Sequence, residues 1–371
     1  MQTAIPCLLM RGGTSKGAFF DREALPADKA LRDRVLLAVM GSPDPRQIDG
    51  LGGAHPLTTK VAIVGRSARE GVDLEFLFAQ LQPNSDTVDT TPNCGNMLAA
   101  VVPFAIESGL CKPQGEVTTL RVLTLNTDML CDISVLTPDG RVRYDGEARI
   151  DGVPGTSAPI TIEFLDTAGS VCSALLPTGR ALDRLHVPAQ GDEAAFEIDV
   201  TCIDNGMPLV MFKASDVGCS GAESVAELNA NAGLKSRIER LRLVAGHAMG
   251  LGDVTRKNYP KMTLISGARE GGALCTRSFI PHVCHDAIGV LAAVTVATAC
   301  VLDGSVCEGV ATLPEGRSKR VSVEHPTGEF SVDIETDPAD SQKVTRAALL
   351  RTARLLMRGQ AMVPSAVWDG T

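Results

Sequence analysis

Residues 92–110 read Pro92-Asn-Cys-Gly-Asn-Met-Leu-Ala-Ala-Val-Val-Pro-Phe-Ala-Ile-Glu-Ser-Gly-Leu110. From Leu98 the segment is apolar on nearly all sides until Glu107, which predicts a helix that is buried on every face. A polar segment that contains glycine precedes this helix. Asn93 is the candidate N-cap, because its side chain can accept a hydrogen bond from a free N–H group of the first turn. The pattern predicts a domain built around one central helix, from Leu98 to Leu110.

The two halves of the chain follow the same order of elements. Lys60-Val-Ala-Ile-Val64 is a short buried strand ahead of the first apolar helix, and Lys261-Met-Thr-Leu-Ile265 precedes a second one, Ala287 to Leu302. A strand, a polar glycine turn and a strand open each half, at 5–20 and at 200–212. We infer an internal duplication, with two α+β domains that are each a curved mixed sheet wrapped around a buried central helix. A ligand would lie in the cleft where both helix N-termini can point at it.

The domain boundary is expected in the segment 178–193, which is rich in proline, glycine and charge. The first domain is placed at 1–182 and the second at 183–358, with residues 359–371 free to return to the first. The charged segment Arg346 to Arg358 is interpreted as a helix.

Composition narrows the function classes. The net charge of −9 argues against a nucleic-acid partner and against an anionic membrane surface. The eleven cysteines are scattered and form no CxxC pair, which is typical of reduced thiols in a cytoplasmic protein. The N-terminus lacks the pattern of a signal peptide, and the longest uncharged stretch, Ala287 to Leu302, is shorter than the roughly 20 residues that span a bilayer.

The glycine loop Arg11-Gly-Gly-Thr-Ser-Lys-Gly17 does not match a known phosphate loop. A P-loop needs Lys and Ser or Thr directly after its second glycine, whereas Ala18 and Phe19 follow Gly17 here. No GxGxxG fingerprint links a strand to a helix either. Nucleotide and dinucleotide cofactors are therefore not expected, and the loop is also compatible with a plain hairpin turn.

Cys94 and Lys60 are the candidate chemical groups. A cysteine at the first turn of a buried helix lies in a field that stabilises its thiolate. The alternative is that Cys94 is one more packed thiol, but the polar, glycine-containing residues around it favour a functional role. At pH 7 a neutral lysine costs about 4.6 kcal/mol and a thiolate about 2 kcal/mol, from their unperturbed pKa values. Energetics alone thus favour Cys94 as base and Lys60 as electrostatic stabiliser.

A metal site is one interpretation of His282, Cys284 and His285. Their spacing is loose and no second ligand pair accompanies them, so no metal is expected. They are expected instead to line the start of the second central helix.

Nine segments together resemble the family that contains 2-methylaconitate isomerases and 4-oxalomesaconate tautomerases. The resemblance covers essentially the whole chain, and segments 200–208 and 277–285 are most similar to the tautomerase branch, which acts in gallate and protocatechuate breakdown. The segments are Ile5 to Phe20, Gly41-Ser-Pro-Asp44, Ile48 to Gly53, Lys60-Val-Ala-Ile63, Asn93-Cys-Gly-Asn96, Ile150 to Gly155, Leu176-Pro-Thr-Gly179, Asp204 to Pro208 and Arg277 to His282.

The resemblance implies the diaminopimelate-epimerase-like fold and a cofactor-free proton shift in an unsaturated tricarboxylate. It places the catalytic pair on Lys60 and Cys94, with Lys60 favoured as the base. The residues that would bind the substrate's carboxylates are Arg11, Gly13, Ser15, Asn93, Gly95, Asn96, Met97, Arg277, Ser278 and His282. The partner is then a small tricarboxylate, and the oligomeric state is left open, with a homodimer as one option.

Three alternatives stay open. A 2-methylaconitate or aconitate isomerase would differ only in substrate. A two-base racemase or epimerase on the same fold would use a cysteine from each half, with Cys284 as the second. A non-catalytic carboxylate-binding protein would need neither Lys60 nor Cys94.

Overall fold

The computed structural model describes residues 1–340 and 343–370. The chain divides into two compact units: unit 1 is Met1–Leu165 with Leu350–Thr371, and unit 2 is Asp166–Leu349. The expected boundary after residue 182 lies inside unit 2. The reason is that the Asp204 carboxylate accepts from the N–H groups of Val171 and Cys172, which ties the segment before residue 182 to unit 2.

The elements are numbered in chain order. The helices are α1 (Lys29–Met40), α2 (Gly95–Leu98), α3 (Val101–Glu107), α4 (Val225–Ala230), α5 (Ala232–Ala248) and α6 (Val290–Cys300). The strands are β1 (Gln2–Gly12), β2 (Ser15–Asp21), β3 (Lys60–Arg66), β4 (Leu74–Gln80), β5 (Val117–Thr124), β6 (Met129–Leu136), β7 (Ile160–Phe164), β8 (Asp183–Val187), β9 (Phe196–Asp204), β10 (Pro208–Lys213), β11 (Lys261–Ser266), β12 (Leu274–Phe279), β13 (Ser318–His325), β14 (Gly328–Thr336), β15 (Val344–Arg351) and β16 (Ala353–Pro364).

The sheet of unit 1 has the order β16-β1-β2-β3-β4-β5-β6-β7. The pairs β2–β3 and β4–β5 are parallel, and the other neighbours are antiparallel. Helix α1 packs its buried side chains, Val35 among them, against one face, together with Ile5, Phe20 and Val61. Its first turn is capped by Asp28, whose carboxylate accepts from the Leu31 N–H.

The central helix of unit 1 is buried as predicted, but it is two short helices, α2 and α3, rather than one. Pro103 lacks an N–H and its ring would clash with the Ala99 carbonyl in a continuous helix, so it lies in the first turn of α3. The N-cap residue is Cys94 and not Asn93. The Asn93 side chain instead accepts from the Cys94 N–H, at 2.8 Å, one residue before the helix starts.

Unit 2 repeats the arrangement, with the strand order β8-β9-β10-β11-β12-β13-β14-β15. The pairs β10–β11 and β12–β13 are parallel. Helix α5 packs on one face, and α6 is the buried central helix, since Ala292–Cys300 are all buried. The predicted duplication and the α+β class are confirmed. Within the described residues, no helix has the length and apolar character needed to cross a membrane.

The helix expected at Arg346 to Arg358 is wrong: the structure has β15 and β16 there. β16 pairs antiparallel with β1 from Gln2↔Pro364 to Gly12↔Ala353. Without this partner, β1 would leave a row of N–H and C=O groups unpaired at the edge of the sheet. The long-range pairing therefore outweighs the local preference of this charged segment.

Candidate active site

Lys60 is the first residue of β3, and its side chain is buried. Its Nζ donates a hydrogen bond to Oε1 of Gln80, the residue directly opposite on β4, and lies 4.9 Å from the centre of the Phe78 ring. The Gln80 amide is itself held, because its Nε2 donates to the backbone oxygens of Thr59 and Leu81. The Lys60 Nζ is thus kept at one place by an oriented neutral acceptor and an aromatic face.

Cys94 is the N-cap residue of α2 and is half-buried. Its carbonyl accepts from the Leu98 N–H at 2.9 Å. Three other free thiols are similarly half-buried: Cys111, Cys172 and Cys219. Desolvation raises the pKa of each of these three thiols, in the case of Cys172 to about 12.

The glycine loop is pressed against the start of α2. A Cβ on Gly12 would lie 2.3 Å from the Asn96 carbonyl oxygen, and one on Gly17 would lie 2.2 Å from the Lys60 carbonyl oxygen. Gly13 has φ +50° and faces the Asn96 side chain, whose Nδ2 donates to Thr14 Oγ1 at 2.9 Å. The glycines are therefore required by close backbone approach, and the hairpin tip is part of the wall around α2 and β3.

One face of the sheet carries Lys60 together with several predicted site residues. Gly17 is the parallel partner of Lys60, so both lie on the same face, where Met97 of α2 also packs against Gly17. Ser15, two residues before Gly17, points to this face as well. Its Oγ is buried and has no hydrogen-bond partner within the part of the chain that the structure describes. An unsatisfied buried hydroxyl is available to bind a ligand or a water molecule.

The structure does not bring Arg11 to Lys60. Arg11 pairs with Lys16, which alternates with Gly17 along β2, so Arg11 lies on the opposite face of the sheet. Its Nη1 donates to the Gly13 carbonyl at 2.9 Å and to the Thr352 carbonyl and hydroxyl, each at 3.0 Å. Arg11 therefore ties the hairpin tip to the start of β16. This role depends on strand alternation and on a partner far away in the sequence, so the local motif does not reveal it.

The predicted residues of unit 2 have local partners. Arg277 is buried and donates from Nε to the Glu223 carbonyl and from Nη1 to the Thr276 carbonyl. Its neighbour Ser278 shares a hydrogen bond with Thr263, and the Arg277 and Ser278 side chains lie on opposite faces of β12. His282 is exposed, with Nδ1 3.4 Å from a Glu239 carboxylate oxygen.

Cys284 does not occupy the place in unit 2 that Cys94 has in unit 1. The N-cap of α6 is Gly289, five residues further along the chain. Cys284 is buried, and burial raises the pKa of its thiol to about 11. In residues 1–340 and 343–370, no group of three His, Cys, Asp or Glu side chains could hold a metal ion.

Sequence reasoning missed Gln80 and Phe78, the residues that position Lys60. The signal that could have found them is the register of β4 against β3, which no local motif encodes. Sequence reasoning also gave no weight to Lys261, the counterpart of Lys60, whose pKa is lowered by burial.

Two relatives of high sequence similarity are, by name, an isomerase and a tautomerase of oxalomesaconate. The chain is 55% identical, over 96% of its length and 97% of the relative's, to a (4E)-oxalomesaconate Delta-isomerase of Novosphingobium sp.. It is 50% identical, over 100% of its length and 99% of the relative's, to a 4-oxalomesaconate tautomerase of Pseudomonas putida.

Solved structures agree on the fold. The crystal structure of a methylitaconate-delta-isomerase is 34% identical, covers 99% of this chain and 97% of its own, and has a TM-score of 0.85. A probable proline racemase from Agrobacterium radiobacter, 13% identical with a TM-score of 0.50 over 99% of this chain and 94% of its own, shows the fold alone. It agrees with the diaminopimelate-epimerase-like fold that the resemblance implied. The family described as PrpF protein matches residues 2–364, and this chain belongs to that family.

Proposed function

We propose that this chain, an isomerase of the PrpF family, moves a proton and a double bond in 4-oxalomesaconate. The observation that supports it is that Gly17 of β2 lies against both the Lys60 backbone and the Met97 side chain, so that the buried, hydrogen-bonded Lys60 shares a face of the sheet with the helix that Cys94 caps. Relatives named for this substrate share 50–55% of the sequence over nearly the whole chain. The proposal includes no cofactor, a cytoplasmic location and a place in gallate or protocatechuate breakdown.

The proposed chemistry is a 1,3-allylic proton transfer. One group removes a proton from the carbon beside the keto-enoate system, the negative charge spreads into a dienolate, and a proton returns at the other end. The resemblance favours Lys60 as the base and Cys94 as the acid, and we adopt this division. The Gln80 carbonyl oxygen and the Phe78 ring hold Nζ in place while backbone N–H groups stabilise the dienolate oxygen.

Substrate binding is assigned to residues on the Lys60 face of unit 1 and, from the resemblance, to three residues of unit 2. The unpartnered Ser15 hydroxyl supports the first group. Arg11 is given a different role, that of holding the loop through Gly13, because it lies on the other face. The assigned residues are Gly13, Ser15, Asn93, Gly95, Asn96 and Met97, with Arg277, Ser278 and His282 in unit 2.

The substrate is tested by ultraviolet spectroscopy. The enzyme is mixed separately with 4-oxalomesaconate, trans-aconitate and 2-methylaconitate, and the change in absorbance is followed. We expect the keto acid to be turned over fastest. Turnover of the aconitates without the keto acid would reject the proposal in favour of the 2-methylaconitate or aconitate alternative. That alternative has support from more distant relatives, such as the 2-methyl-aconitate isomerase of Cupriavidus necator, which is 32% identical over 98% of both chains.

The division of roles is tested by solvent deuterium exchange into the substrate. Lys60→Met should abolish exchange, whereas Cys94→Ser should allow it while blocking net isomerisation. Cys111→Ser, which changes another half-buried thiol of unit 1, is the control and should behave as wild type. Exchange that survives in Lys60→Met but not in Cys94→Ser would reverse the assignment.

A further inference from the structure

Gln47, in the loop between α1 and β3, is a buried polar residue with a strained backbone. It is 2% exposed, and its φ of +47° lies in the left-handed region that favours glycine. A Cβ on Gly52 would lie 2.2 Å from the carbon of the Gln47 side-chain amide, so the loop closes tightly around that amide. Such strain persists only where the surrounding contacts fix it, and it is common at functional sites.

The Gln47 amide has a hydrogen-bond partner on both of its polar atoms. Its Oε1 accepts from the Ala54 N–H and from the Thr59 hydroxyl, each at 2.8 Å, and its Nε2 donates to Ser42 Oγ at 3.1 Å. Because a backbone N–H can only donate, the Ala54 contact decides which end of the amide is the oxygen. The amide is therefore held in one orientation.

The buried amide is tied to the ends of β3 and β4. Its partner Thr59 directly precedes Lys60, which starts β3. Its partner Ser42 makes the link to the other strand, because the Ser42 hydroxyl donates to the Gln82 carbonyl at 2.9 Å, two residues after β4 ends at Gln80. One side chain thus bridges both strands at the point where Lys60 and Gln80 are paired.

The segment that the amide holds also orients Gln80. Gln80 Nε2 donates to the carbonyls of Pro56 at 3.1 Å and Thr59 at 3.3 Å, while Gln80 Oε1 accepts from Lys60 Nζ. A shift of Thr59 would move the acceptors that keep the Gln80 amide in place, and Oε1 would no longer face Nζ. Two hydrogen-bonded residues, Thr59 and Gln80, therefore connect Gln47 to Nζ.

We propose that Gln47 is a positioning residue for Lys60, a role that rests on the proposed function because it takes Lys60 as the base. The segments 41–44 and 48–53 each contact the Gln47 side chain, the first through a hydrogen bond and the second through close packing. These are two of the nine family-like segments, and neither contributes a residue to the assigned substrate site. Both segments thus act on the reaction site through the strand ends.

Gln47→Met tests this role, because it removes the amide and keeps nearly the same side-chain length. We expect kcat with 4-oxalomesaconate to fall about 10- to 100-fold, since a misplacement of about 1 Å can cost about 10²-fold in rate. KM should change by less than about threefold, because none of the hydrogen-bond partners of Gln47 is assigned to substrate binding.

Thr118→Val is the matched control. Thr118 is buried in unit 1 and shares a hydrogen bond with Thr137 at 2.7 Å, so its loss also removes a buried hydrogen bond. Thr118 belongs to β5, which lies beside the start of β4 and away from Gln80. The control should lower stability and leave kcat as in wild type.

A second measurement needs no substrate. Hydrogen exchange at Lys60 Nζ is followed by NMR in protein that contains isotope-labelled lysine, and the signal is assigned by its loss in Lys60→Met. Gln47→Met should speed this exchange by about tenfold, roughly the loss of one hydrogen bond to a charged group. Thr59→Val, which removes only the hydroxyl, should act in the same direction and serves if Gln47→Met does not fold. Thr118→Val should not change the exchange.

Nζ exchange that stays at the wild-type rate in both Gln47→Met and Thr59→Val would overturn the proposal. So would an equal loss of kcat in Thr118→Val, because lower stability alone would then explain the effect. The double variant of Gln47→Met and Thr59→Val should lose little more than Gln47→Met alone, and losses that multiply would refute the connection through Thr59. A wild type that does not turn over 4-oxalomesaconate would reject the proposed function, whereas Nζ exchange would still decide the role of Gln47.

Discussion

The two units share one strand order but differ at the lysine that starts the third strand of each repeat. Lys60 starts β3 and is hydrogen-bonded to Gln80. Lys261 starts β11, pairs with Leu209 of β10, and its side chain has no hydrogen-bond partner among the described residues. Burial lowers the pKa of Lys261. The same strand arrangement thus gives Lys60 a hydrogen-bond acceptor and an aromatic ring, whereas Lys261 is desolvated without a hydrogen-bond partner among the described residues.

The tip of the β1–β2 hairpin in unit 1 also differs from the tip of the β9–β10 hairpin in unit 2. In unit 1, glycines let the tip contact the Asn96 backbone directly. In unit 2, Asn205 makes the corresponding link with its side chain, which donates to Thr298 of α6 at 2.8 Å and accepts from Thr167 at 2.6 Å. A duplicated fold therefore keeps its architecture by different contacts, and unit 1 is the one that leaves a cysteine at the helix start.

The largest expected effect separates the two cysteines near the helix starts. Cys94→Ser should lower turnover by about 10²- to 10⁴-fold, the usual contribution of a proton-transferring group. Cys284→Ala should change it less than about threefold, because its thiol is buried away from the α6 N-cap. Initial rates with 4-oxalomesaconate measure both. An inactive Cys284→Ala that still folds by circular dichroism would support the two-base racemase alternative.

The next effect concerns stability at the hairpin tip. Gly12→Ala should destabilise the protein by about 1–3 kcal/mol, because the new Cβ would overlap the Asn96 carbonyl oxygen. Gly267→Ala in unit 2 is the control, since that position has open space around it, and it should stay within about 0.5 kcal/mol of wild type. Urea unfolding followed by fluorescence gives both values. Equal effects would show that the tip of unit 1 tolerates a side chain.

The smallest effect sharpens the comparison of the lysines. Lys261→Met should stabilise the protein by about 1 kcal/mol at pH 7, because it removes a desolvated charge. The pKa of Lys261 is lowered in the folded state, so its penalty is full below the folded pKa and disappears as pH rises towards 10.5. The stability difference between Lys261→Met and wild type should therefore shrink as pH rises from the folded pKa of Lys261 towards 10.5. Thermal unfolding of both proteins across this pH range measures it. A gain that does not change with pH would indicate a packing effect.

Much of the fold follows from local patterns. The apolar runs before and after the glycine turns predicted the buried helices and the duplication, because a helix that is apolar all round has to be enclosed. The division of the first helix was missed, because the apolar run was interpreted as one helix although Pro103 is excluded from a helix interior. The helix expected at Arg346 to Arg358 was wrong because its partner, β1, lies at the other end of the chain.

The sequence by itself determined the two enclosed helical segments and the glycine tip, since these depend on local periodicity and on turn residues, while the catalytic pairing of Lys60 with Cys94 stays a prediction from the resemblance. Only the tertiary structure decided which face each charge takes. Arg11 and Gly12 are neighbours in sequence but lie on opposite faces, and Arg354 comes beside Arg11 through a pairing that spans most of the chain. Strand alternation and long-range register settle such placements, because a shift of one residue would exchange the two faces.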